Sequence, residues 1–176
     1  IFRTSRSVGR INSSRIENSQ LRDFKDSFKL LGNVRAPQFI DGGFVIRGIN
    51  SESPDAENIS GNQTPLSVIF VDGVALTQQG ARRGPSSLWD VDSIEILRGP
   101  QSSLQGKNTL AGSVHINTKD PVFEWEGGHR VTLGNFNLRE YAGMLNVPLN
   151  EDIALRFTAE HSERESFVTY PNLQNF

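Results

Sequence analysis

The sequence predicts an α+β domain with a small mixed sheet, followed by a run of consecutive antiparallel strands. Three observations carry this prediction. A helix-period apolar pattern opens the chain, four short apolar runs punctuated by glycine follow it, and beyond Pro121 the texture changes to regular alternation. At 176 residues the chain has room for one ordinary domain and a piece of another.

The helical pattern is Leu21, Phe24, Phe28 and Leu31, with Ser14 and Glu17 spaced as a capping box upstream and Gly32 as the stop. It predicts an amphipathic helix over Leu21–Leu31. The apolar runs Phe44–Gly48 (FVIRG), Leu66–Gly73 (LSVIFVDG), Ser93–Gly99 (SIEILRG) and Ser113–Thr118 read as strands, rich in β-branched residues. Between them, Ile49–Thr64 and Thr77–Ser87 are polar and longer than a compact domain needs, which marks loops as functional or disordered.

Beyond Pro121, Val131 and Leu133 alternate with Arg130 and Thr132. Tyr141, Gly143, Leu145, Val147 and Leu149 share one face of the next segment, and Ile153, Leu155, Phe157 and Ala159 one face of the last. Turns fall near Asn135–Asn137 and Asn150–Asp152. A half-buried soluble meander and a transmembrane β-barrel are both written with this period of two.

Composition excludes several classes. With 20 acidic against 18 basic residues, no global basic field recommends nucleic acid as a partner. Cysteine is absent, which removes disulfides and thiolate metal sites. His115, His129 and His161 stand far apart, so no metal or cofactor site is predicted. No apolar run is long enough for a membrane helix, and IFRTSRSVGR lacks the apolar centre of a signal peptide.

The segment Ser93–Pro121, SIEILRGPQSSLQGKNTLAGSVHINTKDP, contains a Gly-Lys pair that invites a phosphate-loop reading. The spacing refuses it. Gly99 lies too far before Gly106, Lys107 is followed by Asn108 where a Ser or Thr would hold magnesium, and the residues after Ala111 read as a strand where a helix is required. Gly99, Gly106 and Gly112 are expected to shape backbone instead.

That same segment, together with VIRGIN at Val45–Asn50 and VIFVDGVAL at Val68–Leu76, resembles in order and spacing the plug domain of TonB-dependent outer-membrane receptors. GGHRVTLGNFNLREYAGMLNVPLNEDIALRF at Gly127–Phe157 resembles the first barrel strands of the same family. The resemblance implies a plug domain over residues 1–121 and, over 122–176, the first antiparallel strands of an incomplete transmembrane β-barrel. It also implies a transporter that alters no bond in its cargo: a scarce nutrient, foremost a ferric siderophore, binds above the plug. The TonB energy-coupling complex then acts through a segment upstream of Ile1. Implied surroundings are outer-membrane lipid and, for the plug, the periplasm.

Carried over residue by residue, the ligand-facing apical loops are Asn50 and Ser51, Gln78 and Gln79, and Leu104 and Gln105. Arg82 and Arg83 are candidates to attract an anionic chelate, or serve only solubility. Arg47, Glu95 and Arg98 are expected to contact the barrel wall, with salt bridges inside the plug as the plain alternative. The sequence departs from the family at Gln105, where Tyr is usual, and at His115 and Asn117, which make a strand unusually polar. No TonB box is present. Three strands cannot close a barrel, and an open edge in lipid leaves backbone groups unpaired at several kcal/mol each, so a partial chain is expected. A soluble β-rich module binding carbohydrate or protein is the rival reading; it requires the face after Tyr141 to pack inside a water-soluble core.

Overall fold

The computed structural model describes residues 7–35, 43–51, 66–77, 80, 87–100 and 109–165. The chain divides into two compact units, Ile1–Lys119 and Asp120–Phe176.

In the first unit β1 (Ser7–Asn12) leads into α1 (Ser13–Asn18), and α2 (Phe24–Ser27) runs into a 3₁₀ turn at Phe28–Leu30. Three short strands follow, β2 (Val34–Arg35), β3 (Val45–Ile46) and β4 (Ile49–Asn50), then β5 (Ser67–Val71), β6 (Val74–Ala75), β7 (Val91–Arg98) and β8 (Gly112–Thr118). The main sheet has five strands in the order β1-β7-β8-β5-β6, and β2-β3-β4 form a small sheet of their own. The β5–β8 pair is parallel and the other neighbours antiparallel, so the main sheet is mixed as expected.

The expected helix over Leu21–Leu31 is broken into shorter pieces. Gln20 takes a left-handed conformation (φ 51°), and Asp23 starts a fresh turn by accepting the Asp26 amide at 2.8 Å. The cap of α1 is Asn12, whose Oδ1 accepts from Arg15 N at 3.2 Å, in place of the Ser14–Glu17 box. A local side-chain acceptor at each start outcompetes one continuous helix. The apolar pattern still does its work, since Leu21, Phe24 and Phe28 are buried.

These residues cover one face of the sheet. Ile11, Ile69, Ile94, Ile96, Val114 and Ile116 are no more than 1% exposed, and each fully buried side chain of this kind contributes about 1.5–3 kcal/mol. Phe24, Phe28 and Phe44 pack ring against ring above them, with centroids 4.6, 5.5 and 6.1 Å apart. Across β7 and β8 the backbones come so close at Gly112 (φ +149°) that a Cβ there would lie 2.3 Å from the Leu97 carbonyl oxygen.

The second unit is an antiparallel meander of β9 (Glu126–Gly134), β10 (Leu138–Pro148) and β11 (Ala154–Glu163), in the order β11-β10-β9. Its apolar side chains point to solvent. Val131, Leu133, Tyr141, Leu145, Leu155 and Phe157 are 40–71% exposed, and the register sets Tyr141 beside Val131 and Leu145 beside Phe157. The opposite face carries Ala142, Asn146 and the ion pairs Arg130–Glu160 (3.7 Å) and Arg156–Glu126 (2.8 Å). Asn146 is fully buried: its Nδ2 donates to the carbonyls of Val122 (2.6 Å) and Glu124 (2.7 Å), and its Oδ1 accepts from Val122 N (3.0 Å). One amide thereby pins the segment that enters β9.

Gly112→Ala combines a positive φ with a backbone clash, so it is expected to cost roughly 3 kcal/mol or more. Chemical denaturation should show the loss; a shift within about 0.5 kcal/mol of wild type would contradict the close approach.

Candidate functional site

The residues singled out for ligand or wall contact fall into three sets. Gln78, Gln79, Leu104, Gln105, Arg82 and Arg83 lie outside the described residues, as do Gly106 and Lys107. Asn50 is half-buried in β4, opposite Val45. Ser51 is buried, 5% exposed, and its Oγ accepts the Phe44 amide at 2.8 Å. Its own amide donates to the Phe44 carbonyl (2.7 Å) and its carbonyl accepts from Leu66 N (2.7 Å). A hydroxyl placed where the hairpin closes satisfies backbone that would otherwise be buried unpaired.

Arg47, Glu95 and Arg98 do not form one cluster. Residues three apart on a strand face opposite ways, so Glu95 and Arg98 emerge on different sides of β7. On the side away from the core a row crosses the main sheet in register: Arg10 on β1, Glu95 on β7, His115 on β8 and Phe70 on β5. Arg10 Nε lies 3.4 Å from Glu95 Oε1 and Arg10 Nη2 3.9 Å from Asp92. The His115 ring stacks on Phe70 with centroids 4.8 Å apart and planes 6° off parallel, and its Nε2 is 3.1 Å from Ser113 Oγ. Asn117 on the same face donates to Ser93 Oγ at 3.3 Å. The two polar departures noted in the sequence thus serve one polar sheet face.

Arg98 takes the core side, at the end where the core stops. Its Nη1 donates to the Gly32 carbonyl at 2.9 Å, while its buried Nε has no hydrogen-bond partner among the described residues. Arg47 sits in the β3–β4 turn at φ +52°, its amide donating to Asn33 O at 2.8 Å. The Arg47 Nη1 atom is 3.5 Å from where a Cβ on Gly99 would stand, so the Arg47 side chain reaches the turn that follows Arg98. Among the described residues neither has a carboxylate within ion-pair distance. Asn33, Val34, Arg35, Val45, Arg47 and Gly48 line an open cavity of about 570 Å³ beside them. Among the described residues its lining carries Arg35 and Arg47 and no acidic side chain.

The amino-acid sequence up to Ser113 matches the model of the TonB-dependent receptor plug domain, over residues 1–113. The chain belongs to that family. The plug is similar to the ferrioxamine receptor of Yersinia enterocolitica, 29% identical over 115 residues that make 59% of this chain and 16% of the relative. It is 33% identical over 99 residues to the ferrioxamine B receptor of Salmonella typhimurium, covering 53% of this chain and 14% of that protein. This chain therefore spans about a sixth of the curated relatives it matches. Among solved structures, the ferric yersiniabactin uptake receptor FyuA from Yersinia pestis superposes with a TM-score of 0.74 at 19% identity, over 89% of this chain and 24% of that one. A pyoverdine-bound FpvA from Pseudomonas aeruginosa does so with a TM-score of 0.75 at 16% identity, over 94% and 21%. At these identities the likeness is one of fold, and it extends past the plug into the antiparallel strands.

Two features escaped sequence reasoning. β1 carries only Val8 and Ile11 as large apolar residues and was not legible as a strand. Arg35 and Arg47 border the same cavity only because Arg35↔Val45 and Ile46↔Val34 are paired.

Burial lowers the proton affinity of His115 below the ordinary histidine value of 6.5, against the opposing pull of Glu95. The unfolded chain then takes up the proton before the folded plug does. This contribution to stability is whole above pH 6.5, falls as pH drops through the window beneath it, and levels off once folded His115 is protonated. Imidazole resonances followed by NMR should titrate below those of exposed histidines, and Glu95→Gln should move the midpoint lower still; an upward move would refute the pairing.

Proposed function

We propose that this chain is the plug and first barrel strands of a TonB-dependent outer-membrane receptor that imports a ferric siderophore, with the plug gating the lumen. The observation that carries the membrane part is the inverted meander. A soluble sheet hides its apolar face, whereas here the apolar face is the exposed one and the charged pairs lie opposite. Hydrocarbon around the strands makes that arrangement favourable. β10 has 11 residues. At about 3.4 Å each and a tilt of ~40° they rise about 28 Å, enough for an apolar band of ~25 Å. The rival soluble module required these residues to be buried, and their exposure counts against it.

The siderophore cargo is supported by the relatives, named as ferrioxamine receptors, and by the neighbours, named for yersiniabactin and pyoverdine. The TonB complex is the proposed energy source, and the periplasm the side from which it reaches the plug. Asn50, Gln78, Gln79, Leu104 and Gln105 remain the proposed apical contacts. Arg47 and Arg98 are the proposed contacts to the barrel wall: cations with no carboxylate within ion-pair distance among the described residues suit acidic groups from outside the plug. Glu95, already engaged by Arg10, fits the plain alternative better.

Deleting the gene should abolish growth on at least one ferric siderophore as sole iron source, with hydroxamates of the ferrioxamine type tested first. Undiminished growth on every ferric siderophore supplied would end the import reading. Separately, Arg98→Ala in the complete receptor should loosen the plug and raise outer-membrane leak of small solutes several-fold; unchanged permeability would remove Arg98 from the wall contact.

A further inference from the structure

Arg98 reaches the Gly32 carbonyl by a route that another strand has to permit. β1 pairs with β7 so that Gly9 faces Ile96 and Ser7 faces Arg98, which sets Gly9 diagonally beside the arginine on the core side of the sheet. There the guanidinium passes over Gly9. A Cβ on that residue would stand 3.1 Å from Arg98 Nη2 and 2.9 Å from Leu31 Cδ2. Both distances are shorter than carbon side chains tolerate without moving. Leu31 is the residue immediately before the carbonyl that Arg98 Nη1 grips at 2.9 Å. The bare backbone of Gly9 therefore seats the leucine that presents the acceptor and the guanidinium that uses it.

We propose that Gly9 is a positioning residue for Arg98: the side chain it lacks leaves the track along which the guanidinium crosses β1. This rests on the reading of Arg98 as a wall contact for its consequence, but not for its geometry. The role does not follow from backbone need. Gly9 lies in regular strand pairing and is not among the glycines with positive φ, so an alanine is conformationally acceptable there. The atoms it would meet are the tips of flexible side chains, which can shift, so the plug folds while the Leu31 methyl and the Arg98 guanidinium are displaced. Because β1 carries the notch for Arg98 on one face and Arg10, the partner of Glu95, on the other, one strand sets both Glu95 and Arg98 of β7.

The test uses the complete receptor in outer-membrane vesicles and compares wild type, Gly9→Ala, Arg98→Ala and the double variant, with thermal unfolding as the control for folding. The first readout is modification of Arg98 by phenylglyoxal, followed by mass spectrometry. Displaced from Gly32, Arg98 should react several-fold faster in Gly9→Ala, while Arg35 and Arg10 react as before. Unchanged Arg98 reactivity overturns the proposal. A uniform rise at all three arginines does so too, since it reports loosening of the fold. The second readout is solute leak. Gly9→Ala should leak like Arg98→Ala, and the double variant no more than Arg98→Ala alone. Selective labelling with no leak from either single variant supports the positioning role and withdraws the wall contact. Leak from Arg98→Ala but not from Gly9→Ala overturns the claim that the seal depends on where Gly9 puts the guanidinium.

Discussion

The first unit depends on one strand bonded on both sides. β7 runs its length between β1, from Ser7 to Asn12, and β8, from Gly112 to Thr118, and so satisfies backbone on either flank while its side chains serve two unlike surfaces. Ile94 and Ile96 face the apolar layer and are fully buried. Glu95 faces the polar row with Arg10 and His115. At its end the alternation puts a guanidinium, Arg98, on the core side, where its Nη1 donates to the Gly32 carbonyl. The close approach at Gly112 is part of the same constraint, because a side chain there would push β8 off β7 at the Leu97 carbonyl.

The second unit obeys a different solvent. Its period of two is regular too, yet the apolar set is exposed while Ala142 and Asn146, on the opposite face, are buried. In water this would forfeit about 1.5–3 kcal/mol for each large side chain left uncovered. Removing water from that face reverses the sign. The polar face then needs internal partners, which Arg130–Glu160, Arg156–Glu126 and the Asn146 amide supply.

Much of this was legible because it is local or periodic. The alternation from Val131 to Ala159, the strands now seen as β5, β7 and β8, and the buried Leu21, Phe24 and Phe28 all follow from spacing within a few residues. What was not legible depends on partners distant in sequence. β1 looks like loop because its inward face holds Gly9 and Ile11, and a glycine seat for a neighbour's side chain reads as a gap in the pattern. The continuous helix failed because Asp23 restarts it. Ser51 looked like an apical polar residue because nothing near it in sequence reveals that Phe44, seven residues earlier, offers its amide. Arg98, taken together from family likeness with Glu95, separates from it because residues three apart on a strand face opposite ways.

That separation bears on how a plug can seal and still yield. A charge pair buried between two bodies is costly to form and costly to break, since parting it strands an unpaired charge. A half-exposed guanidinium that keeps one hydrogen bond to its own domain escapes both penalties. Arg98 retains the Gly32 carbonyl whether or not a carboxylate from outside approaches, so losing such a partner returns it to a satisfied state instead of an orphaned one. In the proposed wall contact Arg98 would thus be hydrogen-bonded both before seating and after release.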